Sequence, residues 1–224
     1  IAHKGNATMN NDKTKKIARI SASYIVLIIF SLIALFPVVQ VFTISLRPAD
    51  RLLSTSLEII PKDASLNTYK ILFTERPFFL WLMNSTLIAV VVTLTGVALA
   101  STAGYGFSRF RFVGKKLGLL SLLVTQMFPA TMLLLPMYIM LVKLHLINTY
   151  LGIIIMYSAT ALPFCIWQMK GYYDTIPMSL EEAGRIDGCN QFQTFYKIIF
   201  PFAAPALVIT ALFSFMSAWT EYVV

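Results

Sequence analysis

The sequence predicts an all-α fold, a polytopic transmembrane helical bundle. Three observations carry that prediction. Of 224 residues, 58% are hydrophobic and only 12% are charged. The charges cluster between apolar runs instead of spreading along amphipathic faces, as they do in a soluble domain. Five apolar runs reach the roughly 20 residues needed to cross about 30 Å of hydrocarbon as helix.

The first run, Ile20 to Leu46, follows a polar, disordered-looking tail over residues 1–19. It is too long for a signal peptide, and no small-residue cleavage site precedes a soluble domain. The second (Leu82 to Phe107), third (Leu117 to Val142), fourth (Leu151 to Met169) and fifth (Ala203 to Val224) complete a membrane domain over residues 20–224. Lys13, Lys15, Lys16 and Arg19 precede the first run, and Arg109, Arg111, Lys115 and Lys116 follow the second. Basic residues favour the cytoplasmic side, so both segments, and hence the N-terminus, are expected there. Alternation then places residues 47–81 and 143–150 outside and residues 170–202 inside. The outer segment carries Arg47, Arg51, Lys62, Lys70 and Arg76, nearly neutralised by Asp50, Glu58, Asp63 and Glu75.

Within the runs, Gly96, Ala100 and Gly104 recur every four residues, which lets another helix approach closely. The stripe fits a static packing seam or an interface that slides. Pro37, Pro129, Pro136, Pro163 and Pro205 each remove a backbone hydrogen bond and favour a kink. Polar residues are few: Thr125 and Gln126 in the third run, Ser158 and Thr160 in the fourth, Trp219, Thr220 and Glu221 in the fifth. A carboxylate within a span costs several kcal/mol unless it faces water or a partner, so Glu221 either faces a cavity or marks the membrane surface.

Between the fourth and fifth runs lies a polar loop, residues 177–201, with its own helical code. Pro177 blocks backward extension of a helix, and Ser179-x-x-Glu182 reads as a capping box. A first helix is expected from Leu180 to about Asp187, with Glu181 and Glu182 at the positive end of its dipole and Gly188 ending it. A second is expected from about Gln191 to Phe200, with Phe192, Phe195, Tyr196 and Ile199 on one apolar stripe ahead of Pro201.

Several function classes lose ground. The net charge of +8 lies beside the spans and forms no single exposed stripe, so nucleic acid is not an expected partner, whereas the lipid bilayer is. No GxxxxGK[ST] phosphate loop occurs, so the chain cannot hold nucleotide by that motif. His3 and His145 stand alone, and no metal site is expected. Cys165 and Cys189 read as packing residues. An intramembrane enzyme needs a nucleophile with a base or paired acids, which scattered Ser and Thr do not supply. An ion-coupled secondary transporter remains the alternative, and it needs buried ionisable groups, of which the spans offer only Glu221.

The order Glu182-Ala183-Gly184, three residues, Gly188, nine residues, Ile198-Ile199-Phe200-Pro201 closely resembles the EAA signature of ABC importer permease subunits. That signature usually reads EAA, three residues, G, nine residues, I, one residue, LP. Gly184 replaces the second alanine and Phe200 the leucine. Tyr105 to Arg111 with Gly114-Lys115-Lys116, Gln126 to Ala130, Pro136-Met137-Tyr138, Asn148-Thr149-Tyr150, Pro163-Phe164, Lys170 to Pro177 and Ala218 to Tyr222 resemble the carbohydrate branch, in particular the maltose/maltodextrin MalG type. The likeness covers nearly the whole chain from about Ile20.

The resemblance implies an ABC type I importer permease fold and a non-enzymatic subunit of a bacterial cell membrane. It also implies a second permease (MalF-like), a cytoplasmic ATPase dimer holding ATP and Mg, and an extracellular or periplasmic sugar-binding protein. The chain itself is expected to bind no cofactor. The loop would couple to the ATPase through Glu181, Glu182, Ala183, Gly184, Asp187, Gly188, Ile198 and Pro201. Of these, Glu182 would be the charged contact, Gly188 the hinge, and Ile198 and Pro201 the junction to the fifth span. Gln126, Trp219 and Glu221 are the candidate substrate-pathway residues, since sugar sites combine aromatic faces with hydrogen-bonding groups. Because such permeases usually have a sixth span, and this sequence begins without methionine and stops in an apolar run, a missing C-terminal span is expected.

Overall fold

The computed structural model describes residues 2–47 and 64–221, with side chains throughout except at 2–14, 18 and 130. Asp50, Arg51, Glu58, Lys62, Asp63, Tyr222 and the His3 side chain lie outside that description. The described residues form ten α-helices and one π-helical segment, in two compact units, residues 1–79 and 80–224.

In the first unit, α1 (Ala2–Ser45) corrects the expectation of a disordered tail. The tail continues the first span as helix, because residues 2–19 contain no proline and adding residues to an existing helix is far easier than nucleating one. Pro37 is accommodated inside the helix. The helix ends with the Ser45 hydroxyl donating to Phe42 O at 2.6 Å. Ser45 Oγ also lies 2.6 Å from the Tyr69 hydroxyl of the short α2 (Asn67–Thr74). Phe73, Phe78 and Phe79 close the unit with mutual ring contacts at 5.3 to 5.9 Å.

The second unit is organised by α3 (Phe78–Arg109) and α6 (Tyr150–Thr175), both long and apolar enough to cross a membrane. The predicted seam is present: Gly96, Ala100 and Gly104 are all buried. A Cβ on Gly96 would meet Ser214 Oγ at 2.7 Å, and one on Gly104 would meet Met169 Cβ at 2.8 Å. The stripe therefore lets α3 pack closely on α6 and on the last helix. Cys165, fully buried beside it with Sγ 3.3 Å from Ser214 Oγ, is a packing residue, as its sequence context predicts.

The third run is not one continuous span. It divides into α4 (Lys115–Met127) and α5 (Ala130–Lys143), bent by 109° at the break. Phe128 is extended (φ −81°, ψ 131°), as residues preceding proline tend to be, and Pro129 follows with ψ 133°. The described part of the fifth run is the unbroken α10 (Ala204–Thr220), which meets the end of the preceding loop at a bend of 78° about Ala203. Among the described residues, three unbroken helices are long and apolar enough to cross a membrane, or up to five segments if each bent pair counts as one. Pro136 and Pro163 are tolerated inside α5 and α6, and Pro205 lies in the first turn of α10, where a missing N–H costs least.

Candidate functional site

The loop at 177–201 is the most organised polar segment of the second unit. Ile176 is extended ahead of Pro177, so α6 stops at Thr175. The next helix, α7 (Ser179–Ile186), starts one residue before expectation. Met178 is already helical (φ −63°, ψ −26°) and its carbonyl accepts from Glu181 N at 2.9 Å and Glu182 N at 3.1 Å. Ser179 consequently sits inside the first turn and makes no capping bond, so the predicted Ser179–Glu182 box is absent. The other end follows the sequence. Gly188 is left-handed at φ 83°. Gly188 N donates to Arg185 O at 3.1 Å and Cys189 N to Gly184 O at 2.9 Å, the paired closure of a Schellman motif.

The capping box of the loop lies instead at Asn190 and Gln193. Asn190 Oδ1 accepts from Gln193 N and Gln193 Oε1 accepts from Asn190 N, both at 2.9 Å. After the short α8 (Gln191–Gln193), residues Thr194–Ile199 form a π-helix, continued by α9 (Phe200–Phe202). The wider π turn changes the phase of the side chains, which corrects the single apolar stripe. Phe195 and Ile199 face the core, with Ile199 fully buried, while Phe192 and Tyr196 are exposed at 74% and 62%.

The two consecutive carboxylates of α7 separate completely. Glu181 is 1% exposed, whereas Glu182 lies on the open face with Ala183, Arg185, Ile186 and Asp187. Glu181 is thus turned inward, and of the two acids expected to serve coupling only Glu182 is open to solvent. Its Oε1 accepts from Arg109 Nε in a buried ion pair, and its Oε2 accepts from the Tyr105 hydroxyl at 3.0 Å. Arg109 Nη2 donates onward to Ile176 O at 2.8 Å. Two charges can be buried together when further hydrogen bonds satisfy what the pair leaves over, and this cluster supplies them. The Tyr105 ring is edge-on to Tyr173 at 5.7 Å and tilted against Phe195 at 4.7 Å. A second polar tie runs alongside: Ser108 Oγ donates to Asp174 Oδ1 at 2.7 Å, and Lys170 Nζ lies 2.6 Å from Asp174 Oδ2.

Gly184 completes the inner face of α7. A Cβ there would collide with Ile198 Cδ1 and sit 3.7 Å from Thr194 Oγ1. The glycine that departs from the usual EAA pattern therefore admits Ile198 against the helix backbone. Ile198 is half-buried and Pro201 exposed at the end of the loop. Arg109 was visible in the sequence only as one of four basic residues marking a side of the membrane. No local signal announces a partner 72 positions away.

The candidate pathway residues do not all line one cavity. Gln126 lies at the break of the third run, where its Nε2 donates to Thr160 O at 3.1 Å. It lines a cavity of about 260 Å³ with Thr125, Phe128, Leu133, Met137 and Thr160, slightly below the ~300 Å³ at which ligand sites usually start. Trp219 and Glu221 are not among the lining residues. Trp219 stacks on Phe215 at 5.5 Å and Glu221 caps the C-terminal end of α10.

A run broken at Pro129, a close-packed glycine seam and a braced loop between two long apolar helices make up the architecture of a multi-pass membrane protein. The chain belongs to the family described as binding-protein-dependent transport system inner membrane component, whose model matches residues 93–224. It is 31% identical over 218 residues to the maltodextrin transport system permease protein MalD of Streptococcus pneumoniae, covering 96% of this chain and 76% of that one. It is 33% identical over 232 residues to the maltose/maltodextrin transport system permease protein MalG of Escherichia coli K12, covering 95% and 77%. Among solved structures it is similar to a bacterial ABC transporter involved in the import of the acidic polysaccharide alginate. There the TM-score is 0.74 at 27% identity, covering 90% of this chain and 70% of the other.

Proposed function

We propose that this permease subunit forms half of a membrane path for a neutral oligosaccharide of the maltose/maltodextrin class, and that its 177–201 loop couples the path to ATP hydrolysis on partner subunits. The substrate class rests on the relatives named for maltodextrin and maltose transport. The observation that carries the coupling role is the two-sided loop: Glu182, Ile186, Phe192 and Tyr196 are open, while Glu181, Gly184 and Ile199 are buried behind them. An apolar surface carrying charges of both signs on a capped segment suits docking into another protein. In this reading the N-terminus and the loop are cytoplasmic, ATP and Mg bind a pair of ATPase subunits, and a second, related permease lines the other half of the path. A binding protein delivers sugar from outside. The small cavity at Gln126 would contribute only part of a sugar site, with the partner permease supplying the rest.

The test is uptake of labelled maltodextrin into proteoliposomes carrying the assembled transporter. Glu182→Ala is expected to leave the permease folded and to reduce ATP-driven uptake severalfold or more. Normal uptake by that variant would refute the coupling role of the exposed face, and uptake that follows an ion gradient without ATP would refute the importer mechanism.

A further inference from the structure

We propose that Glu181 and Arg109, completed by Tyr105, are positioning residues that make α7 and α3 move as one body when the loop is pushed. The proposal rests on the coupling role above and divides the work of two adjacent acids: Glu182 meets the partner, and Glu181 carries the displacement inward.

The geometry is a two-point attachment. Tyr105 and Arg109 are four residues apart on α3, hence on one face of its last turns, and each holds a different oxygen of the same carboxylate. A single bond would let α7 pivot about it, whereas two bonds to one planar group fix direction as well as distance. Arg109 extends the link to Ile176 O, so the end of α6 is held by the same guanidinium. Three positions along α7, Gly184 presses on Ile198 and ties the same inner face to the segment leading into α10. Three elements, α3, α7 and the end of α6, are thus joined at the buried Glu181–Arg109 pair, and the segment leading into α10 is tied to the same face of α7 at Gly184. A buried ion pair adds little stability over an apolar contact of similar volume. What it supplies here is orientation, which an apolar contact cannot.

The experiment uses the complete transporter, with both permeases, the ATPase pair and the binding protein, in lipid vesicles. The quantity read is sugar taken up per ATP hydrolysed, normalised to assembled complex, because a merely structural defect lowers the amount of complex and leaves that ratio alone. Glu181→Gln is expected to lower the ratio roughly tenfold, within the range of typical coupling between sites. The paired apolar replacement Glu181→Leu with Arg109→Met, which fills the space without directed bonds, is expected to leave it equally low. Arg109→Lys keeps the charge and loses the planar fork, and it too is expected to lower the ratio. It decides the matter if Glu181→Gln fails to assemble. A wild-type ratio in Glu181→Gln, in Arg109→Lys or in the apolar pair overturns the proposal. Glu182→Ala separates the two levels. If it lowers the ratio while Glu181→Gln does not, only the positioning role fails, and if neither lowers it, the coupling role itself fails.

Discussion

Replacing Gly104 by alanine probes the α3–α6 seam with one methyl group. The added Cβ would lie 2.8 Å from Met169 Cβ, 3.0 Å from Lys170 N and 3.2 Å from Met169 C. Two of those atoms are main chain and cannot rotate away, so the helices must separate. Overpacking of this kind costs about 1–3 kcal/mol. Against it stands the helix preference for alanine over glycine, about 0.5–1 kcal/mol. Gly171 on α6 is the matched control, since a Cβ there meets nothing within 4 Å and only the favourable effect remains. Gly171→Ala is therefore expected to stabilise slightly and Gly104→Ala to be worse than it by about 1–3 kcal/mol. Both are measured by detergent-driven unfolding in mixed micelles, followed by tryptophan fluorescence. Equal stability of the two variants, within about 0.5 kcal/mol, would refute the close approach.

Two further outcomes follow from the loop and its bracing. Asn190→Ala should cost about 1 kcal/mol through loss of the capping box, while Ser179→Ala, which removes no capping bond, should stay within about 0.5 kcal/mol. Hydrogen exchange of the amides at residues 179–194 reads both, and equal protection in the two variants would contradict the capping assignment. Tyr173 is fully buried and its hydroxyl has no partner among the described residues, so Tyr173→Phe should be neutral or stabilising by about 1 kcal/mol in the same unfolding assay. A loss of stability larger than that would show that the hydroxyl is bonded.

What could be read from the chain was what local chemistry determines. Apolar run length located the membrane helices, four-residue spacing located the seam, and Gly188 marked a left-handed stop. The break of the third run was only half legible. Pro129 predicted a kink, but a bend of 109° depends on where α4 and α5 pack. The capping boxes show two local codes in competition: Ser179-x-x-Glu182 and Asn190-x-x-Gln193 both fit the pattern, and only the second forms because Met178 is drawn into the helix ahead of Ser179. The π-helix has no comparable sequence rule. Neither does the Arg109–Glu181 pair, whose members are brought together by the packing of three helices.

The neighbouring acids of α7 also bear on how relatives are compared. Consecutive helical residues point about 100° apart, so a one-column slip in an alignment exchanges an inward carboxylate for an outward one. Two relatives that share only one acid at this place could then be scored as equivalent while one lacks the anchor and the other lacks the exposed charge. The discriminating mark is the company each acid keeps: a tyrosine and an arginine four residues apart near the end of the second span belong with the inward position.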